Sequence, residues 1–534
     1  MSHTHRYLLA LPRGDRQVFL SWRLLASDAP DAPFYIERLD RGAWTRVPEA
    51  PIVDSTTTLV HAADGGLQRY RVTGLDGPPS ETVEVNAGAE ASLLAREIPL
   101  PPGDRVEGVI VGDLGNDGRL GFVMRTARGA ARDETIHQTA YGHEGNELWE
   151  VDTRLPARGG WDGSMHHCSF LCWDLNGDGR SEVAYHSYPD AYPKETYDTA
   201  IEGERFTVVD GATGQLVWEA AWPAARSRVM MTVGHLEGLD RPPQVVVLDG
   251  TYGDVVLTAL NGVDGTIKWQ IQQARGAGHN LDIGDIDGDG VQEVICGGVC
   301  YDGDGTVRWQ AEPFGHTDIS KPAQIVPDLE GLQIYYAVEG PPRELNGVYL
   351  VDQHGRTLWK EPFAHAHYGW IARHAPGVPG LHPHTAEDSR RQAQDHYPIF
   401  LPDGSTWLNL TDWQRKNFVP VHWDERPEVV FVIRKENKRI VRLLPTGEIE
   451  DLPCGKVPEG GEYGRNLGCV DLLGDYRENI VAVDTERHRL MVLANPTVAT
   501  RRGTSPWDDF AYRHDRSQLG SGYYIYLSPP VTTV

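Results

Sequence analysis

The chain has 534 residues, enough for a large domain plus a small one, and its 50 basic and 76 acidic side chains give a formal net charge of -26. This acidic excess argues against nucleic acid and anionic membranes as partners, and no apolar run is long enough for a membrane span. The first residues lack the apolar core and cleavage site of a secretory signal, so we expect a cytoplasmic protein.

Residues 1–95 have the pattern of a small β-sandwich. Apolar and polar positions alternate in four short stretches separated by Asp, Pro and Gly, at residues 18–22, 34–38, 57–60 and 68–72. This period-two alternation predicts a fibronectin-like domain. A Pro- and Gly-rich stretch follows at residues 99–103, and we expect the second domain to span residues 96–534.

The second domain repeats one signature, a short strand that enters an acidic turn. The best copies are Asp174–Gly179 and Asp285–Gly290. Weaker copies begin at Asp113, His235, Asp328, His374, Asp424 and Asp471. A spacing of 43 to 61 residues leaves room for about four short strands per copy, which must stack on their neighbours to bury their faces. We predict an all-β fold with an eight-bladed β-propeller, or seven blades if the copy at Asp328 is not one.

A second repeat, Gly-x-x-x-Trp, falls once in each of five predicted blades, and two further blades carry degenerate versions. Its copies are Gly145–Trp149, Gly214–Trp218, Gly265–Trp269, Gly305–Trp309 and Gly355–Trp359. Each predicts a hairpin turn followed by a strand whose Trp packs between neighbouring sheets. Near the C-terminus, residues 522–527 are expected to supply a closing strand.

The two best acidic turns are predicted calcium sites. Oxygen-bearing side chains at positions one, three and five of a tight loop, with a Glu further on, can converge on one hard cation. The predicted ligands are Asp174, Asn176, Asp178 and Glu182 in one turn, and Asp285, Asp287, Asp289 and Glu293 in the other. The simplest role for these ions is to hold blades together.

Histidine and arginine recur six or seven residues before the acidic turns, where the innermost strands should begin. These positions hold His167, Arg228, His279, His367 and Arg465, and His166, His316 and His365 lie close by. Inner strands of a propeller begin at one mouth of its axis, so we expect a shared basic cleft. Arginine binds carboxylates and histidine carries protons near neutral pH, which favours an anionic substrate.

Part of the same set can be interpreted as a zinc site. His279, Cys296, Cys300 and His316 combine the ligand types that zinc prefers. The two cysteines flank an apolar strand, however, and buried structural thiols are the more common outcome in such a place.

With these features the chain resembles the rhamnogalacturonan lyases. The matching motifs are residues 20–25 (Leu-Ser-Trp-Arg-Leu-Leu), the acidic turns, residues 471–480, and Tyr512-Arg513 ahead of residues 522–524. The resemblance implies an N-terminal β-sandwich, a calcium-loaded eight-bladed propeller, and cleavage of bonds between rhamnose and a uronic acid in an acidic glycan. The His-rich mouth is more similar to related lyases of ulvan or rhamnosyl-glucuronate, which implies His and Tyr for proton transfer, Arg for the carboxylate and sometimes a structural zinc.

Such lyases act by β-elimination, which needs the uronate carboxylate neutralised before a base removes the C5 proton. The candidate catalytic residues are His137, His166, His167, Tyr197 and Arg228. The expected substrate-binding residues are His279, His316, His367, Arg465 and Tyr188. Tyr188 and Tyr192 compete with Tyr197, because residues 186–197 predict a long loop over the mouth, and the identity of the base stays open.

Two alternatives belong to other functional classes. One is a non-catalytic propeller that binds carbohydrate or protein through the same basic mouth. The other is a quinone-dependent dehydrogenase, because residues 211–218 resemble that family's docking repeats. The chain has no adjacent pair of cysteines, and proteins of that family are normally exported.

Overall fold

The protein is built almost entirely of β-strands, which confirms the predicted all-β class. The computed structural model describes residues 5–74, 77–128, 135–157, 169–191, 203–223, 229–250, 254–274, 277–312, 315–340, 343–387, 396–433, 439–452, 461–462, 468–484, 486–520 and 526–530. None of the helices in these ranges is long and apolar enough to cross a membrane.

The N-terminal part contains two antiparallel sheets that share one core. One sheet has the strand order β1-β2-β5 and the other β4-β3-β6-β7. Their strands are β1 (Leu9–Pro12), β2 (Gln17–Ser21), β3 (Tyr35–Asp40), β4 (Ala43–Arg46), β5 (Thr57–His61), β6 (Leu67–Thr73) and β7 (Val83–Asn86). Trp22 and Phe34 pack edge to face in the core, with ring centroids 5.6 Å apart.

Eight further sheets follow in sequence order within the described residues from 94 onward, and we number them sheets 1 to 8. Sheet 1 comprises β9 (Arg105–Gly112), β10 (Gly121–Arg128), β11 (Thr135–Tyr141) and β12 (Glu147–Pro156), and sheet 2 comprises β13 (Phe170–Trp173), β14 (Glu182–Ser187), β15 (Arg205–Asp210) and β16 (Leu216–Ala221). Sheet 3 comprises β17 (Val229–Gly234), β18 (Gln244–Asp249), β19 (Val255–Asn261) and β20 (Ile267–Gln273). Sheet 4 comprises β21 (Asp282–Gly284), β22 (Glu293–Cys296), β23 (Val299–Tyr301) and β24 (Val307–Gln310).

Sheets 5 to 7 repeat the same antiparallel meander, and in sheet 8 two short segments take the place of the first strand and pair with the same neighbour. Sheet 5 comprises β25 (His316–Ala323), β26 (Gln333–Glu339), β27 (Gly347–Val351) and β28 (Thr357–Pro362), and sheet 6 comprises β29 (Ala366–Ala372), β30 (His382–Glu387), β31 (Pro398–Phe400) and β32 (Thr406–Asn409). Sheet 7 comprises β33 (Phe418–Val421), β34 (Val430–Ile433), β35 (Ile440–Leu443) and β36 (Ile449–Asp451). Sheet 8 comprises β37 (Gly461–Glu462), β38 (Cys469–Val470), β39 (Asn479–Asp484) and β40 (Arg489–Leu493). The weak acidic turn at Asp328 therefore belongs to a complete sheet.

The eight sheets are oriented alike, which gives them two distinct ends. The first strands of sheets 1 to 6 contact one another in succession. The turns that follow the first strands are joined by backbone hydrogen bonds, from Ser181 to Asp113, Gln292 to His235, Leu332 to Ile286, Leu381 to Ile325, Val429 to Arg373 and Glu478 to His422. These turns define the turn side, and the starts of the first strands define the mouth side.

Each Trp of the Gly-x-x-x-Trp repeat joins its sheet to the next. Its indole N–H donates to a backbone carbonyl of the next hairpin at 2.8–3.0 Å. The pairs are Trp149 to Gly211, Trp218 to Gly262, Trp269 to Gly303, Trp309 to Gln353 and Trp359 to Pro402. The hairpin glycine lies against the same ring, and at Gly265 (φ +71) an added Cβ would meet Trp218 at 2.6 Å.

The prediction that residues 522–527 supply the closing strand is wrong. Within that stretch, β41 (Tyr526–Leu527) pairs in parallel with β29 of sheet 6. The outermost strand of sheet 8 is instead β8 (Leu94–Pro99), which pairs with β40 and places Ile98 beside the hairpin glycine Gly145 of sheet 1. A strand-forming pattern does not reveal its partner, since pairing is decided by long-range packing.

One helix near the C-terminus packs against the first strands of sheets 1 and 2. The helices are α1 (Asp412–Asn417) and α2 (Phe510–Ser517), with single 3-10 turns at Arg343–Leu345, Pro506–Asp508 and Gln518–Gly520. Buried Lys321 on β25 lies 3.0 Å from Asp282 and 2.7 Å from Asp515 of α2. The ring of His514 contacts the Val233 carbonyl oxygen at 2.6 Å, so α2 is fixed to sheets 3, 4 and 5.

Candidate functional site

Four histidines and two carboxylates meet at the mouth side of sheets 4 to 6. They are His279, His316, Asp318, Glu339, His365 and His367, and we call them the histidine centre. Five of them lie on or just before the first strand of their sheet, and Glu339 ends β26. Contact of β25 with β21 and β29 brings the six side chains together.

Local departures from regular strand geometry orient the side chains of the histidine centre. An added Cβ on Gly278 would lie 1.6 Å from the Thr317 carbonyl oxygen, and this close approach lets the His279 N–H donate to that oxygen at 2.9 Å. The strand register shifts at Asp318 in the β25–β26 pair and at His367 in the β29–β30 pair. Such bulges redirect side chains and are frequent beside active sites.

One half of the centre surrounds the fully buried Asp318. The Nε2 atoms of His316 and His279 lie 3.4 and 3.9 Å from its Oδ1, and Nδ1 of His367 contacts its Oδ2. Burial acts to raise the pKa of Asp318, but the hydrogen bonds from His316 and His367 outweigh it and hold that pKa well below its usual range. Asp318 is therefore an ionised carboxylate in the interior.

The other half is arranged around Glu339. Nε2 of His365 contacts the Glu339 carboxylate, and Nε2 of His316 lies 3.7 Å from its Oε1. The rings of His365 and His367 stack with centroids 5.3 Å apart. His316 therefore approaches both carboxylates and joins the two halves.

The histidine centre has the donor atoms of a metal site. The ligand atoms of His279, His316 and Asp318 all lie within 4.8 Å of one another, and those of Glu339, His365 and His367 do the same. Imidazole nitrogens combined with carboxylate oxygens are typical ligands of Zn²⁺ and other first-row divalent ions. The chain thus offers two adjacent three-ligand groups.

The predicted calcium ligands lie at the far ends of the first strands, on the turn side. In the first turn, the Asp174 carboxylate accepts from the N–H of Gly177 at 2.7 Å and of Gly179 at 3.0 Å. Glu182 accepts from the Leu175 N–H at 2.8 Å, and burial raises the pKa of Glu182 to about 7. Asn176 and Asp178 lie in the same turn.

In the second turn the carboxylates converge more closely. The ligand atoms of Asp285, Asp287 and Asp289 lie within 4.8 Å of one another. Arg308 lies 2.5 Å from Asp287 and 3.1 Å from Glu293. Burial raises the pKa of Glu293 to about 7. Both turns are separated from the histidine centre by the length of the first strands, so cations bound there would act on structure.

Two predicted active-site residues lie apart from the histidine centre. His137 is on β11, two strands away from the first strand of sheet 1, and its Nδ1 is 3.4 Å from the Glu150 carboxylate. The Tyr188 N–H donates to the Thr153 carbonyl at 2.9 Å, and its ring packs on a small apolar cluster of sheet 1. The predicted residues His166, His167, Tyr197, Arg228 and Arg465 lie outside the described residues.

The predicted zinc set of two histidines and two cysteines does not assemble. Cys296 and Cys300 are on adjacent strands, in the register pairs Cys296 with Val299 and Ile295 with Cys300, so they face opposite sides of sheet 4. Cys296 packs into the core towards sheet 3 and Cys300 into the core towards sheet 5. His279 and His316 meet carboxylates instead.

Asp318 and Glu339 were missed by sequence reasoning. One signal was available: His316 and Asp318, like His365 and His367, are separated by one residue. On a strand, residues i and i+2 share a face, so each pair predicts two ligands side by side. Glu339 ends the second strand, and only the pairing of His316 with Glu339 reveals its place.

The fold and the site define a class of protein with consecutive β-sheets and, at one end of them, a cluster of histidines and carboxylates that could hold a metal ion. Residues 195–389 match the model of the C-terminal domain of rhamnogalacturonan lyase family 11. These residues contain the whole histidine centre. The resemblance to the rhamnogalacturonan lyases predicted from the motifs is therefore confirmed.

Individual relatives cover two thirds of the chain or more. The chain is 24% identical to rhamnogalacturonan endolyase YesW of Bacillus subtilis, over 97% of this chain and 92% of the relative. Rhamnogalacturonan exolyase YesX of the same organism is also 24% identical, over 67% and 66%. The crystal structure of a rhamnogalacturonan lyase from Bacillus licheniformis has 22% identity and a TM-score of 0.80, over 99% of this chain and 96% of that chain. These proteins share the nearly all-β fold with many sheets.

Proposed function

We propose that this protein is a polysaccharide or oligosaccharide lyase that cleaves rhamnose–uronic acid linkages of an acidic glycan by β-elimination. The observation that carries the proposal is the histidine centre, since it gathers metal ligands and titratable groups at one mouth. The names of the relatives, rhamnogalacturonan endolyase and exolyase, support the same reaction. They give no support to a quinone-dependent dehydrogenase or a non-catalytic binding propeller.

In the architecture we propose, sheets 1 to 8 are the eight blades of a propeller within residues 96–534, and residues 1–95 form a fibronectin-like β-sandwich. The Trp links between successive sheets support a closed ring, as does Ile98 beside Gly145, where sheet 8 meets sheet 1. β8 spans the domain boundary, so one strand ties the two domains together.

We propose a divalent metal ion, with zinc as the expected ion, at the histidine centre, and calcium in the two acidic turns. The donor set fits, because Asp318 is held ionised and the histidines offer imidazole nitrogens as further ligands. His279, His316 and Asp318 would hold one ion, and Glu339, His365 and His367 would hold or complete the second group. A bound cation here would neutralise the uronate carboxylate and acidify its C5 proton.

We assign the remaining roles, which are substrate contact, proton transfer and carboxylate binding, to the chain's own residues. His367 is the most exposed histidine of the centre, with 21% of its side chain accessible, so we assign it to substrate contact. His279 and His316 are buried beside Asp318, so we assign them to metal binding. His167 precedes the first strand of sheet 2 in the sequence, as His279 precedes that of sheet 4, so we assign proton transfer to His166 or His167 with Tyr197. Arg228 and Arg465 would bind the substrate's carboxylates.

The test is formation of an unsaturated, ultraviolet-absorbing uronate from rhamnogalacturonan, ulvan or rhamnose-capped glucuronate oligosaccharides. The unaltered protein should form product, and Asp318→Asn should lower the rate at least about 100-fold, because loss of a metal ligand exceeds the roughly 10- to 100-fold cost of losing a ligand's support. The matched control is His354→Ala, an exposed histidine in the outer hairpin of the same sheet 5, which should leave the rate unchanged. Equal rates for both variants would contradict the assignment, and absence of product from all three glycans would contradict the reaction.

A further inference from the structure

A second cavity lies at the opposite end of the first strands from the histidine centre. It has a volume of about 630 Å³ and is lined by the turn-side ends of sheets 1, 2 and 3 and by the segment that carries α2. Clefts of about 300–1,000 Å³ are typical of small-molecule sites. The cavity can hold one to a few sugar rings, and nothing in the proposed reaction uses it.

Three aromatic rings form one wall of this cavity. Trp173 and Phe510 meet edge to face with centroids 5.5 Å apart, and His235 meets Phe510 in the same way at 5.3 Å. Trp173 comes from sheet 2, His235 from the turn of sheet 3, and Phe510 begins α2. The wall therefore depends on three separate parts of the chain and is a built surface.

Arg513 lines the same cavity and has no anionic partner within it. Its guanidinium carbon lies 5.8 Å from the Phe510 ring centroid, one turn along α2. Among the residues that the structure describes, Arg513 forms no ion pair within 4 Å, and Asp508 and Asp509 act on it only over a longer distance. Burial is the main reason that the pKa of Arg513 is lowered. A half-buried guanidinium that has no direct ion pair can still form charge-assisted hydrogen bonds with the carboxylate of a ligand.

His235 adds a hydrogen-bond acceptor. Its Nδ1 lies 3.0 Å from the Arg241 carbonyl oxygen, which can only accept, so Nδ1 carries the proton. Burial lowers the pKa of His235, so the ring is neutral near pH 7 and Nε2 is an acceptor suited to a sugar hydroxyl.

Carboxylates also line the cavity and limit the charge of its ligand. Asp113, Asp174 and Asp240 are part of the lining. A densely charged polyanion would be repelled by these groups, whereas a ligand with one carboxylate per two sugars could pair with Arg513 and donate hydroxyl hydrogen bonds to Asp113 and Asp240.

From this combination we propose that the turn-side cavity is a second saccharide-binding site, which takes a fragment with a single uronate through Arg513 and an aromatic wall of Trp173 and Phe510. The carboxylate preference follows from Arg513, while the choice of a rhamnose–uronate fragment rests on the proposed function. Such a site would hold glycan or product away from the mouth.

Calorimetric titration of the full-length Asp318→Asn protein with a rhamnose–galacturonate disaccharide tests the site without turnover. Arg513→Gln in this background should weaken binding about tenfold or more, the cost of a lost charge-assisted hydrogen bond. The matched control is Arg426→Gln, an exposed arginine in the turn of sheet 7 on the same side, which should bind as before. Neutral rhamnose should show no dependence on Arg513. Equal affinity of the Arg513 and Arg426 variants would overturn the proposal.

A crystal of the unaltered protein soaked in the disaccharide gives a second readout that does not depend on how Arg513→Gln folds. Sugar density against Phe510 and Arg513 would support the site, and sugar at the mouth alone would overturn it. Elimination is read separately and should be unchanged in Arg513→Gln. Arg513-dependent binding without any elimination would discard the lyase reaction only, and elimination with Arg513-independent binding would discard the second site only.

Discussion

Replacing Gly265 by alanine should destabilise the protein through two separate effects. Gly265 has φ +71, and a left-handed conformation costs a residue with a Cβ about 1–2 kcal/mol. The new Cβ would also meet the Trp218 ring at 2.6 Å, and overpacking of this kind costs about 1–3 kcal/mol. Trp218 cannot move away freely, because its indole N–H donates to the Gly262 carbonyl at 2.8 Å. The expected loss is therefore about 2–5 kcal/mol.

The matched control is Gly447→Ala, in the equivalent hairpin of sheet 7. Gly447 has φ +83, but an added Cβ would have nothing within 4 Å. This variant should lose only the backbone part, about 1–2 kcal/mol. The free energy of unfolding of both variants can be measured by urea denaturation followed by circular dichroism. Equal losses at the two positions would refute the idea that Trp–Gly contacts hold successive sheets together.

Other predictions follow from buried charge. Burial is the main reason that the pKa values of His382 and His384 are lowered from 6.5 to about 4 and about 3. Below pH 6.5 the unfolded chain therefore binds protons at these residues that the folded protein does not bind. Stability from these residues should be full above pH 6.5 and decline as the pH falls towards 4, in urea titrations at a series of pH values. Lys321→Met should cost about 3–5 kcal/mol in the same assay, because it leaves Asp282 buried without its cation. Removal of divalent ions with EDTA should lower Tm, with calcium restoring the part due to the acidic turns; an unchanged Tm would contradict calcium binding there.

The repeated elements of the fold could be predicted because each repeat carries its own local signal. The acidic turns and Gly-x-x-x-Trp hairpins mark the first turn and the last strand of most sheets, and the structure has a meander at each of the eight acidic turns. The partner of a strand is not a local property, however. Residues 522–527 have the composition of a strand, yet β41 pairs with β29, while β8 completes sheet 8.

The candidate site was predicted in part for the same reason. Counting back from the acidic turns located His279 and His367 and placed His316 and His365 close by, because these residues lie at or near the starts of first strands. Glu339 could not be located this way, because its position depends on the pairing of β25 with β26 across a bulge. The spacing of Cys296 and Cys300 predicted a metal site that does not form, because strand register places the two cysteines on opposite faces of sheet 4.

The central claim is that the histidine centre binds a metal ion which receives the uronate of the substrate. Anomalous diffraction from crystals of the full chain, soaked with a rhamnose–uronate oligosaccharide, tests it most directly. We predict an anomalous peak among His279, His316 and Asp318, with the uronate carboxylate beside it. A peak confined to the acidic turns, or a uronate bound away from the histidine centre, would contradict the account.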